Sequence, residues 1–162
     1  MGSDESTPIV ATSTAQTGKS PIDYFSWGHI DLGIGGFLLL SLINALPSYF
    51  EDKLIYFIPY WMMLALVIVV AIVWEILENT LFVTIGIKFE VRRDSFKNAL
   101  WDIIFGITGG LATWILKGIL VNIYGVENNN IPQYIIYYYI VGAISFIIFL
   151  VCFLIGRAIT KD

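Results

Sequence analysis

Four apolar runs, each longer than the roughly 18 residues that cross a bilayer, constrain this chain more than any other feature. They predict an all-α fold, a polytopic membrane protein built as a four-transmembrane-helix bundle. The helices are expected over about 21–46, 54–83, 95–122 and 133–157. They form one domain, 20–157, between an N-terminal tail, 1–19, and a short C-terminal tail, 158–162. Composition agrees, since 57% of the residues are apolar and only 14% charged, against about a quarter charged in soluble domains.

The boundaries are read from local chemistry. Ser20 is placed to cap the first helix, Pro21 to occupy its first position and Asp23 to reach back, and Pro47 is expected to end it. Pro59 falls in the first turns of the second helix, where its missing N–H matters least. The tail is rich in Ser, Thr, Ala and Gly and lacks a signal-peptide pattern. It is expected to be disordered unless a partner holds it. Lys19, Lys88, Arg92, Arg93, Lys97, Arg157 and Lys161 fall on one side of the predicted spans, against Lys53 on the other. That bias predicts a multi-pass protein of the plasma membrane with both termini cytoplasmic. Lys117, inside the third helix, is expected to snorkel to the outer surface. The tryptophans and the Tyr137-Tyr138-Tyr139 run read as interfacial or packing aromatics.

Carboxylates inside such helices cost about 2.5–3.5 kcal/mol each at the helix centre, so they need something to offset them. With the predicted orientation, His29 and Asp31 of the first helix, Glu75, Glu78 and Asn79 of the second, and Asp94, Asn98 and Asp102 of the third all belong to the cytoplasmic leaflet. Glu75, Glu78 and Asn79 share one helix face. Asp94, Asn98 and Asp102 form a stripe that continues through Gly106, Gly109, Gly110 and Thr113. A face that carries both acids and small residues is expected to point into the bundle. Four offsets are open: mutual hydrogen bonding with retained protons; pairing with His29, Arg92, Arg93 or Lys97; a bound divalent ion such as Mg, Mn, Zn or Fe; or a cation from a partner protein. The candidate metal ligands are Asp94, Asn98, Asp102, Glu78, Asn79, His29 and Asp31, and the candidate catalytic carboxylates are Glu75 and Glu78. Simpler readings stand beside these: Asp94 as the cap of the third helix, and Glu75 and Glu78 snorkelling to the interface.

Trp74-Glu75-x-x-Glu78-Asn79 and Asp94-Ser95-x-x-Asn98-x-x-x-Asp102 resemble elements of a family of small bacterial inner-membrane proteins, domain of unknown function 2585. A third element of that family, S-H-x-x-H-G on the first helix, is matched by His29 and Gly33. Gly28 and Leu32 stand where the family has serine and the second histidine. The resemblance spans about residues 23–112 and implies a polar site on these residues without implying a reaction.

Several functions are excluded or weakened. No basic patch with interleaved aromatics is present, so nucleic acid is not an expected partner; the net charge of -4 says little about partners, because several of the acids sit in or beside the membrane. Cys152 is the single cysteine, which rules out a disulfide within the chain. The leading reading is an integral membrane subunit or accessory component of a larger complex, in contact with lipid and with other subunits or further copies of itself, carrying an acidic cation site. The second is a metal-dependent enzyme acting on a lipid or prenyl-type substrate through Glu75, Glu78, Asp94 and Asp102, although no D-D-x-x-D or H-E-x-x-H run is present. The third is ion or proton transport.

Overall fold

The computed structural model of the chain describes residues 7–88, 91–127 and 130–160. Tail residues 1–6, Phe89 and Glu90, the Asn128–Asn129 pair and Lys161–Asp162 lie outside the described residues. Four helices make the fold: α1 (Phe25–Glu51), α2 (Tyr60–Leu77), α3 (Phe96–Leu120) and α4 (Ile131–Ile159). A wide π-helical turn, Glu78–Phe82, extends α2, and a second, Val121–Glu127, follows α3. All four spans are long and apolar enough to cross a membrane. The protein is thus an all-α, multi-pass membrane bundle. Among the described residues the one β feature is an isolated bridge between Val10 and Ile22.

Helix α1 is central and touches each of the other three. Its contact with α3 is backbone on backbone. A Cβ at Gly33 would overlap the Gly106 carbonyl oxygen, and one at Gly109 would overlap the carbonyl of Ile30. Ala71 of α2 closes the same layer, with its Cβ 3.3 Å from where a Gly106 Cβ would stand. Small residues permit this approach, and without a hydrophobic drive between helices in lipid, close packing is what holds them together.

Toward one end the core is filled by Phe37, Tyr60, Met63 and Val67, then by Ala45, Val121, Ile131, Tyr134, Ile135 and Tyr138. Toward the other end the same helix faces turn polar.

Several boundaries differ from the sequence reading. α1 begins at Phe25, and Asp23 Oδ1 accepts its first N–H at 2.8 Å, so Ser20 does not cap it. It also runs through Pro47 to Glu51. The last turn is held from outside: the Asn44 carboxamide oxygen accepts from Phe57 and Ile58 N–H at 2.9 and 3.1 Å, and Ser48 Oγ accepts from Ile55 N–H at 2.9 Å. Residues 54–59 form that loop, which delays α2 to Tyr60, with Pro59 just before its first turn. α4 is longer than expected at both ends, its start capped by Asn130. Lys117 does not snorkel. It is 5% exposed, with its amine 3.7 Å from the Tyr60 ring centre and 5.0 Å from that of Tyr56, a cation–π seat.

The backbone contact between α1 and α3 predicts a sharp glycine dependence. Gly33→Ala is expected to destabilise the bundle by about 1–3 kcal/mol, the range for overpacking. Gly118→Ala, where a Cβ meets nothing within 4 Å, is not expected to lower stability. Thermal unfolding of both variants in detergent checks this.

A buried polar centre as the candidate functional site

One helical turn separates the glycine layer from the polar centre. His29 is four residues from Gly33, Asp102 four from Gly106 and Glu75 four from Ala71. The packing that joins the small residues therefore delivers these three side chains to one another. His29 Nε2 lies 3.3 Å from Glu75 Oε1 and 3.8 Å from Asp102 Oδ2, and all three residues are buried. Ser26 donates to Asp102 Oδ1 at 2.8 Å. Although Glu75 Oε1 stands within ion-pair range of the imidazole, no hydrogen bond reaches it, nor does one reach His29 Nδ1.

Glu78 enters from the π-turn. Such widened turns re-aim side chains and occur often at functional sites. Ligand atoms of His29, Glu75 and Glu78 all fall within 4.8 Å of one another, the one such His/Cys/Asp/Glu trio among the described residues. Glu78 Oε2 accepts from the Trp74 indole at 3.1 Å. Asn79 donates to the Glu75 carbonyl at 3.1 Å and to Glu75 Oε2 at 3.2 Å.

Around this inner group lies a shell organised by Lys88. Its ammonium donates to Asn79 Oδ1 at 3.0 Å, pairs with Asp94 and stands 3.6 Å from Glu78 Oε1. Asn79 Oδ1 also accepts the Asp94 N–H at 2.7 Å. Three residues on, Val91 takes a positive φ of 49°, a strained conformation for a β-branched residue.

The N-terminal segment roofs the centre. Arg92 donates to the carbonyls of Thr14, at 2.9 Å, and Thr17. Ser95 Oγ donates to Lys19 O at 2.9 Å and Ser95 N–H to Gly18 O at 2.6 Å. Asn98 donates to Ser20 O at 3.0 Å and to Asp23 Oδ2 at 3.2 Å. Burial pushes the Asp23 carboxyl above its usual range, while N–H groups of Gly18 and Phe25 pull the other way. The segment expected to be disordered or held by a partner thus has residues of its own bundle to dock on. Beneath it remains a space of about 10 Å³ lined by Thr17, Gly18, Lys88, Asp94 and Asp102, among others, room for about one water.

The candidates from sequence separate into three groups. His29, Glu75, Glu78 and Asp102 converge. Asn79, Asp94 and Asn98 sit in the surrounding shell, bonded to Glu75 and Lys88, to Lys88, and to Asp23 respectively. Asp31 is not brought in: it lies about 200° around α1 from His29. It shares a face with Gly28 and Gly35, which pack on Phe153 and Phe146 of α4, and neither carboxylate oxygen has a hydrogen bond. Asp94 does not cap α3; Ser95 does, accepting from Asn98 N–H at 3.1 Å. Glu75 does not snorkel, being 4% exposed. Of the cations weighed as partners for the acids, Arg93 and Lys97 are exposed and Arg92 turns to the tail. Lys88, Asp23 and Ser26 were missed as site residues. The signal for Lys88 was its place in a short loop between two acid-bearing elements. No family model, no curated protein and no solved structure matches this chain.

Two outcomes follow from the shell. Lys88→Met leaves Glu78 and Asp94 without their cation and is expected to cost about 3 kcal/mol, as broken buried pairs do. Adding Asp94→Asn is expected to recover part of that loss in unfolding equilibria. Arg92→Ala removes two charged hydrogen bonds to the segment and is expected to speed limited proteolysis within residues 7–19 by roughly tenfold or more, since one such bond alone is worth about 1.5 kcal/mol or more.

Proposed function

We propose that this chain is an integral component of a larger plasma-membrane assembly, that both termini are cytoplasmic, and that the polar centre locks the chain together rather than processing a substrate. The observation that carries this reading is closure. The N-terminal segment roofs the centre, and the space beneath it, bordered by Glu78 and Asp102, is about 10 Å³, whereas catalytic metal sites hold an open position for a reactant. A lipid-cleaving role for Glu75 or Glu78 would require the roof to lift far enough to admit a headgroup.

Two further features support it. Lys19, Lys88, Arg92, Arg93, Lys97 and Arg157 gather at the end of the bundle that carries the centre, and Lys53 lies beyond the other, which favours placing the centre in the cytoplasmic leaflet. On the membrane-facing side, α1 and α2 leave an apolar groove of about 320 Å³ rimmed by the exposed Leu39, Leu66 and Val70, with Gly36 and the buried Gly33 and Ala71 in its floor. A small residue at Gly36 suits the close approach of another transmembrane helix.

Gly36 supplies the test. A Cβ there meets only Val67 Cγ2, at an ordinary contact distance of 3.7 Å, so the first atom of a leucine at this position fits, and the rest of its side chain is expected to narrow the groove. In mild detergent, the wild-type chain is expected to migrate with a second membrane protein or a second copy. Gly36→Leu is expected to migrate alone at unchanged thermal stability. A wild-type chain that is monodisperse and monomeric in cross-linked native membranes overturns the reading.

A further inference from the structure

We infer that His29, Glu75 and Glu78 form a binding site for one divalent first-row metal ion, of the Mn(II)–Zn(II) kind, at the heart of the polar centre. The inference does not depend on the chain being part of an assembly.

It rests first on geometry. Three side chains from α1, α2 and the π-turn present one imidazole nitrogen and two carboxylate oxygens within 4.8 Å of one another. A cluster of acids alone means little. Here a second observation points to a ligand: Glu75 is 4% exposed, its Oε1 lies 3.3 Å from His29 Nε2 inside the trio, and no hydrogen bond satisfies it. Buried oxygens are almost always bonded, so an unbonded one in a polar cluster calls for an ion or a water.

Charge gives the same answer. Asp94 and Glu78 share Lys88, and Asp23 is held by Asn98 and two backbone N–H groups. Glu75 and Asp102 have only the imidazole of His29 between them. Asp102 also accepts from Ser26, and Glu75 Oε2 accepts from Asn79. These are neutral donors, so they orient the carboxylates without cancelling their charge. A divalent cation would do so. Lys88 is 3.6 Å from Glu78 Oε1 but also pairs with Asp94, so one ammonium is divided between two carboxylates. One imidazole with carboxylates suits borderline ions that accept both nitrogen and oxygen, more than Mg²⁺ or Ca²⁺, which favour oxygen alone. Asn79 and Ser26 would then be the orienting partners that such sites need. A proton shared between Glu75 and Asp102 is the competing answer.

The full-length chain, purified in mild detergent and stripped with a chelator, is dialysed against ZnCl₂, MnCl₂ or MgCl₂. Elemental mass spectrometry is expected to find about one equivalent of Zn or Mn per chain, with a matching rise in Tm, because metal binding is linked to folding. Mg is expected to be retained at least roughly tenfold less well. His29→Gln and Glu75→Gln are each expected to lower Zn occupancy by roughly tenfold or more at the same free metal. Asp31→Asn, on the α4 side, is expected to keep it. Should either site variant fail to fold, the Tm of the wild-type chain with and without Zn still decides. A folded wild-type chain that retains no Zn or Mn, or that shows no Tm shift, overturns the inference in favour of the shared proton. So does equal retention by folded His29→Gln and Glu75→Gln, or retention of Mg as strong as that of Zn.

Discussion

The contact between α1 and α3 at Gly33, Gly106 and Gly109 is the constraint on which the rest of this structure depends. Helices that touch through their backbones have no freedom to slide or rotate, because any shift drives a carbonyl oxygen into a Cα. Register is thereby fixed, and so is the identity of every neighbouring layer. One turn toward the polar end, the residues in register are His29, Asp102 and, from α2, Glu75. The small residues and the ionisable ones belong to a single device. The first supply proximity at little side-chain entropy, and the second would be intolerable in lipid without it.

The charges are not compensated evenly. In the shell, Lys88, Asp94, Asn79, Asn98 and Asp23 form a network in which every carboxylate meets a cation, an amide or a backbone N–H. At its heart, two carboxylates lean on one imidazole. Networks of this kind specify a unique arrangement when fully satisfied and are costly when they are not. The N-terminal segment completes the shell. Its small side chains, Thr17 and Ser20 among them, are buried against the bundle, and the segment offers backbone carbonyls to Arg92, Ser95 and Asn98 and the Gly18 N–H to Asp23. A composition that reads as disorder in isolation becomes a source of main-chain donors and acceptors once a polar surface waits for it.

Much of the bundle was legible in the sequence because lipid imposes a simple rule on length and polarity. The α3 face from Asn98 through Asp102, Gly106, Gly109, Gly110 and Thr113 was readable by spacing alone, and all six residues are buried. The features that escaped are those where a long-range partner overrides a local signal. Pro47 is a helix breaker locally, yet Asn44 and Ser48 bind the next loop and keep the last turn wound. Lys88 looks like a solvated loop cation until the π-turn and Asp94 surround it. Asp31 is close to His29 in sequence but far around the helix, and simple grouping by leaflet could not separate the two. Lys117 escaped for a related reason: its tyrosine partners, Tyr56 and Tyr60, come from the loop before α2 and from the first residue of α2, far away in the sequence.

Lys117 also marks how differently the two ends treat charge. At the end opposite the buried acids, the Lys117 ammonium lies against the faces of Tyr56 and Tyr60. Between it and the acidic centre stand Phe37 and Met63, both fully buried, with Val67 and the glycine layer. The two hydroxyls of α3 in that stretch are both spent within the helix: the buried Thr113 donates to the Gly109 carbonyl at 2.8 Å, and the exposed Thr108 to the Ile104 carbonyl at 2.8 Å. A proton or ion moving across the bundle would need acceptors spaced through this middle, and among the described residues the helix faces there are apolar. Transport through one copy of the chain is therefore the reading the packing favours least. The acidic centre is a terminal feature of the bundle, closed above by the chain's own segment and below by its tightest hydrophobic layer.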